Sequence, residues 1–322
     1  MKKAISVIIK IAVSGAILYA LFSRMDPGAF WKTLRAVDLP LAVLSGFIFT
    51  FSQFVSTYRW SVILKKDIGT SYLKLLSIYF IGMFFNNFLP TAVGGDVVKG
   101  YYLYRESKRG DISLASIFMD RYVGFAALIL MAAMAVIPGY ALIEGAGIGW
   151  LLVVLIGGFT AMSLVIWVGP LHSWVMAILA KVHFYGINRK IDTFYKVLMG
   201  YKRRPQLLVR IFILSFVVQG SVILGYFILS RGLGMNVGFG YFFLFIPLTT
   251  TVSMLPVSVS GLGLRESAFV FLFMKAGARA EEAFTLSILW FGINAVVSMI
   301  GGVEYLRMGG KAGDAAAEIS PE

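Results

Sequence analysis

The chain of 322 residues has no cysteine and only two histidines, His172 and His183, both in or beside a basic stretch. The first absence excludes disulfides and thiolate chemistry, and the second leaves no histidine set from which a metal site could be built. Acidic residues are also scarce, 16 against 29 Lys and Arg, and no DxD-like cluster appears among them. No long polar stretch interrupts the chain, so no soluble domain is expected. What remains is apolar: 59% of residues are hydrophobic and the mean hydropathy is +0.83. Apolar runs of this length exceed what a soluble core needs and place the chain in a bilayer. The net charge of +13 would suggest nucleic acid in a soluble protein. Here the cations cluster between hydrophobic segments and report topology instead, so no nucleic-acid partner is expected.

Strong apolar helices are expected at about 4–22, 39–62, 113–138, 147–168, 207–230 and 281–305, each long enough for a hydrocarbon core of roughly 30 Å. The first, opening MKKAISVIIK, has the charged and apolar regions of a signal peptide but no clear small-residue cleavage site, so it reads as an uncleaved helix. Segments 74–90 and 240–256 are shorter and end in Leu-Pro, where a helix is disfavoured, and the segments after them, 95–105 and 262–273, are shorter again. Neither member of a pair can cross alone, so each pair is expected to enter and return as a re-entrant hairpin. With that arrangement 17 basic residues fall on the cytosolic side and 6 outside, which satisfies the positive-inside rule and puts both termini in the cytosol. The stretch 171–205 mixes aromatic and basic residues as an interfacial helix would, although a solvated loop with a hydrophobic anchor fits equally. The fold expected is an all-α polytopic membrane protein, with about six full transmembrane helices plus two re-entrant broken-helix hairpins.

The two hairpins share a motif. FLPTAVGGDVVKG (88–100) and MLPVSVSGLGLRE (254–266) agree at Leu89 and Leu255, Pro90 and Pro256, Val93 and Val259, Gly95 and Gly261, and Lys99 and Arg265, all at an offset of 166 residues. Gln53 and Gln219 fall at the same offset. The chain therefore reads as an inverted repeat: residues 1–140 form the first half with its hairpin at 74–106, 141–310 the second with its hairpin at 240–274, and 311–322 a disordered tail. Three crossings per half would let the hairpins enter from opposite faces and meet near the midplane.

Broken backbone and charge are tolerated at membrane depth only where they are buried in protein or line a wet cavity. In SVSGLG the glycines Gly261 and Gly263 let the chain bend and would expose free N–H groups beside Ser258 and Ser260 at a helix start, an arrangement suited to phosphate or carboxylate. Arg265 would add a fork of donors. Gly94, Gly95 and Lys99 would do the same in the first hairpin, where Asp96 adds a negative charge. Pro90 and Pro256 are the expected hinges. Asp96, Asp120, Arg121 and Glu266 are candidates for proton coupling or for permanent ion pairs. Arg59 and Asp120-Arg121 lie near cytosolic helix ends, where pairing or snorkelling explains them as well as function does. Asn86, Asn87 and Asn294 suit interhelical hydrogen bonds, and Glu304 with Arg307 a simple helix pair.

At LPTAVGGDVVKGYYLYR, MDRYVG and PVSVSGLGLRESAF the sequence resembles the transmembrane region of bacterial lysyl-phosphatidylglycerol synthase/flippase proteins and the stand-alone flippase-like proteins related to them. That resemblance implies a multi-pass protein of the bacterial or archaeal inner membrane that moves a lipid between leaflets. It would place Gly94, Gly95, Asp96, Lys99, Asp120, Arg121, Pro256, Gly261, Gly263, Arg265 and Glu266 around a central site. The chain lacks the soluble aminoacyl-transferase domain of the full synthase, so lysyl-lipid synthesis is not expected of it. The leading expectation is a non-enzymatic flippase for an anionic, phosphate-bearing lipid, without cofactor or metal and compatible with a homodimer. The alternatives are a membrane transferase acting on a polyprenyl-phosphate lipid and a non-transporting envelope partner.

Overall fold

A computed structural model describes residues 2–23, 25–65, 67–89, 94–136, 148–180, 187–254 and 258–309. The expected hinges Pro90 and Pro256, and the tail 311–322, lie outside them. The described residues form helices and connecting turns only: α1 (Lys2–Phe22), α2 (Pro27–Arg35), α3 (Leu39–Leu64), α4 (Tyr72–Phe88), α5 (Gly94–Ser107), α6 (Gly110–Val136), α7 (Ile148–Trp167), α8 (Gly169–Ala180), α9 (Ile187–Lys202), α10 (Pro205–Gly232), α11 (Phe239–Ser253), α12 (Leu264–Lys275) and α13 (Ala280–Arg307). Of these α3, α6, α7, α10 and α13 are long and apolar enough to cross a bilayer, and α1 adds a further helix of 21 residues. The protein is an all-α multi-pass membrane protein.

Local chemistry sets the helix ends. Asp26 and Asp38 accept hydrogen bonds from Gly28 and Leu41 N–H and so cap α2 and α3, each followed by a proline in the first turn. α4 stops at Phe88, and Leu89 turns to extended backbone ahead of Pro90. α12 starts after Gly263, whose φ of +84° is open to glycine at little cost. The Glu266 carboxylate folds back to accept the Gly263 N–H at 2.7 Å.

The offset of 166 residues carries into the fold. It maps α3, α4, α5 and α6 onto α10, α11, α12 and α13, with helix boundaries agreeing to within five residues. It also maps packing onto packing: α4 lies against α13 and α11 against α6, while α3 packs on its own equivalent, α10. The α3–α10 pair is antiparallel. Asp38 N–H donates to the Gly232 carbonyl at 2.8 Å near one end, Ser45 Oγ to the Gly225 carbonyl at 3.0 Å, and Arg59 to Ser215 at 2.8 Å near the other. Equivalent helices running in opposite directions are related by an axis perpendicular to both.

Small residues permit this approach. A Cβ on Gly95 would lie 1.8 Å from the Gly82 carbonyl oxygen, and one on Gly301 would lie 1.9 Å from that of Phe80, so α4 packs backbone to backbone against α5 and α13. Apolar burial fills the rest. Phe242, Phe245, Phe269 and Phe273 are buried together in the second half, and Trp60, Leu75, Ile78 and Leu103 in the first.

Candidate functional site

The two hairpin tips touch. Ser260, held at a φ of +48°, donates from Oγ to the Leu89 carbonyl at 3.0 Å. Each hairpin also carries a charged centre, and the two differ.

The first is a buried network drawn from four helices. Arg59 of α3 donates from Nε to Asp120 Oδ1 of α6 at 2.9 Å and from Nη1 to Ser215 Oγ of α10 at 2.8 Å. The other Asp120 oxygen lies 3.8 Å from the Lys99 ammonium of α5. Lys99 is 3% exposed and faces two aromatic rings, Tyr79 at 4.1 Å and Trp60 at 4.7 Å from the ring centroids. Its stem lies where Gly82 leaves room: a Cβ there would come 2.3 Å from Lys99 Cγ. One turn away, Asp96 accepts both Nε and Nη2 of Arg121, at 2.8 and 3.0 Å, a bidentate charge-assisted pair. Among the described residues the cluster thus sets Arg59, Lys99 and the half-exposed Arg121 against Asp96 and Asp120, an excess of one positive charge. Arg59, Lys99 and Asp120 are buried, where an uncompensated charge is costly, while Arg121 reaches the surface.

The second centre is neutral overall. Arg265 of α12 donates from Nε to the neighbouring Glu266 carboxylate at 2.9 Å, and its Nη2 also contacts that carboxylate. Ser287 of α13 joins both side chains, at 3.2 and 3.3 Å. Glu266 is fully buried, and the Arg265 guanidinium lies 4.8 Å from the Phe291 ring centroid.

The expectation of free N–H donors at the hairpin turns is corrected at three positions. Glu266 takes the Gly263 N–H, Ser14 of α1 takes that of Val259 at 3.0 Å, and Asn86 takes that of Gly95 at 2.8 Å. A bilayer interior supplies no water to an orphan donor, so the protein supplies the acceptors itself. Among the expected donors, the buried Ser258 hydroxyl has no partner among the described residues. Asn87 and Asn294 form the interhelical hydrogen bond expected of such residues, at 2.8 Å, and Arg307 pairs with Glu304 at 3.2 Å. Among the described residues no three His, Cys, Asp or Glu side chains gather, so no metal-donor set is assembled there.

Sequence reasoning missed Ser215, Trp60, Tyr79 and Ser14. Ser215 lies in an unremarkable apolar run, and its meeting with Arg59 follows from the antiparallel pairing of α3 with α10. Outside the membrane spans, on the basic face, burial and then the Asp67 carboxylate push the Tyr201 phenol up, which keeps it neutral across the physiological range.

These features occur in a chain whose residues 7–302 match the family described as Lysylphosphatidylglycerol synthase TM region. The chain belongs to that family. It is also 30% identical over 139 residues to a UPF0104 membrane protein of Pyrococcus horikoshii. That match covers 42% of this chain and 40% of the relative's length, so it spans well under two thirds of either.

Proposed function

We propose that the protein is a flippase-like transporter that passes an anionic, phosphate-bearing lipid between leaflets. The head group is held beside Lys99 where the hairpin tips meet, while the acyl chains stay in the bilayer. The observation that carries this reading is the positive excess of the buried Arg59 and Lys99 and the half-exposed Arg121 over Asp96 and Asp120. The first hairpin therefore takes the leading role, and the neutral Arg265–Glu266 pair orders the second. Two halves related by the α3–α10 axis are inverted in the membrane and rock about the central site to alternate its exposure. The protein works without covalent chemistry, in a bacterial or archaeal cytoplasmic membrane, with both termini in the cytosol.

Leaflet exchange of fluorescent lipids in proteoliposomes tests this. The wild type is expected to exchange an anionic phospholipid faster than a zwitterionic one, and Lys99→Met to lose that preference. Equal rates for both lipids in the wild type, or no protein-dependent exchange of either, would count against the reading. Single cysteines replacing Ser107 and Ala276 should label from opposite sides of the membrane, and labelling from one side would overturn the inverted arrangement.

A further inference from the structure

A second cationic feature lies away from the central site, at one end of the α3–α10 pair. A cavity of about 490 Å³ opens there between the end of α3 and the start of α10. Four cations line it: Lys65, Arg203, Arg204 and Arg210. The described carboxylate paired with any of them is Asp67, 3.2 Å from Arg204. The lining thus keeps a positive excess after that pair is counted. Arg210 is held in place by the Tyr58 hydroxyl, which it contacts directly, and its guanidinium carbon lies 5.6 Å from that ring's centroid.

The repeat shows what this cavity lacks. At the start of α3, Asp38 accepts the Leu41 N–H at 3.0 Å. The equivalent position at the start of α10 is Arg204, which offers no side-chain cap. The equivalent of Leu41 is Leu207, which lines the cavity. One half of the repeat supplies its own anion at this point; the other presents cations and an uncapped first turn.

The cavity continues into apolar surface. Pro205, Gln206 and Arg210 also border a groove completed by Val209, Ile213 and Leu214. Val209 also borders a second groove, formed with Leu208, Phe212, Met119 and Trp167. From Pro205 to Leu214 the helix rises about 14 Å, close to the depth of hydrocarbon in one leaflet.

We infer that this cavity and its two grooves hold a resident anionic phospholipid, its phosphate among Lys65, Arg203, Arg204 and Arg210 and its two acyl chains along either side of α10. Charge complementarity selects the head group, and grooves flanking one helix match a lipid with two chains. The lipid lies against α3 and α10, the pair on the pseudo-two-fold axis, and supplies at Leu207 the anion that Asp38 supplies at Leu41. The lipid is a structural ligand distinct from the transported one.

The test is thermal stability of the purified full chain in zwitterionic detergent–lipid micelles, with added phosphatidylglycerol, phosphatidylcholine or inorganic phosphate, alongside native mass spectrometry of retained lipid. Phosphatidylglycerol is expected to stabilise and to be retained about tenfold over phosphatidylcholine, while inorganic phosphate leaves the protein unchanged. Lys65→Gln with Arg203→Gln changes two exposed side chains and should remove the preference without unfolding the protein. Val209→Trp should reduce retention by blocking both grooves while leaving every charge in place. Lys99→Met should keep the preference, which separates this site from the transport site. The inference is overturned if the two lipids stabilise equally, if the double variant keeps the preference, if Lys99→Met abolishes it, or if phosphate alone reproduces the effect.

Discussion

The antiparallel pair α3 and α10 has two ends built on one backbone plan with opposite chemistry. At one end Arg59 projects from α3 across Gly124 of α6, with its Nη1 atom 3.2 Å from where a Cβ on that glycine would stand, and reaches Ser215 of α10. The repeat carries Arg59, Gly124 and Ser215 onto Gly225, Trp290 and Phe49. At the other end the large side chain comes from the opposite helix. Trp290 of α13 packs over Gly225 of α10, meets Phe49 of α3 edge-on at 5.3 Å and stacks on Tyr226 at 3.8 Å. Each end pairs one bulky residue with one glycine, while the third position is a serine at the polar end and a phenylalanine at the other. A pseudosymmetric backbone thus carries charge at one end and a packed aromatic cluster at the other. The difference puts the charged contact at one end of the pair and aromatic packing at the other.

Breaking the polar end should cost most. Arg59→Ala leaves Asp120 buried with its nearest cation 3.8 Å away, and loss of one partner of a buried pair costs about 3–5 kcal/mol. The expected result is a large drop in melting temperature in detergent, partly restored by Arg59→Met with Asp120→Leu, which removes both charges. The aromatic end should be less sensitive. Gly225→Ala places a methyl 2.9 Å from the Trp290 ring, an overpacking expected to cost about 1–3 kcal/mol with lipid selectivity unchanged. Smaller again is the contact of Asn87 on α4 with Asn294 on α13, one hydrogen bond at 2.8 Å and a longer one at 3.4 Å: Asn87→Leu should lower stability by about 0.6 kcal/mol, the average for an interhelical hydrogen bond in a membrane protein. Thermal unfolding followed by size exclusion orders the three. Arg59→Ala costing no more than Gly225→Ala would break the comparison.

Much of this was legible before the structure. The Leu-Pro ends of the hairpin segments and the fixed offset located α4, α5, α11 and α12, because proline and glycine act through the local backbone alone. The same offset singled out Lys99 and Arg265. Their unequal surroundings were not legible, since Asp120, Tyr79 and Trp60 come to Lys99 from other helices through tertiary packing. The glycine turns misled in one respect. Their flexibility suggested donors open to a ligand, yet Glu266, three residues after Gly263, turns back to cap its own helix. The Asn86 and Ser14 caps arise from contacts nine and 245 residues apart, and the second of these leaves no local trace in sequence. Arg203 and Arg204 fall within the 171–205 stretch, read as an interfacial helix or an anchored loop, and their role in lining a cavity depends on α3 ending beside them.

The central claim is that the unbalanced cation of the first half selects the lipid. The most direct measurement is the ratio of anionic to zwitterionic exchange rates in proteoliposomes for wild type, Lys99→Met and Arg265→Lys, each checked for correct folding. The account predicts that the ratio falls about tenfold in Lys99→Met, roughly 1.4 kcal/mol of discrimination, and persists in Arg265→Lys, where the charge pair with Glu266 survives. A ratio unchanged in Lys99→Met, or lost equally in both variants, would contradict it.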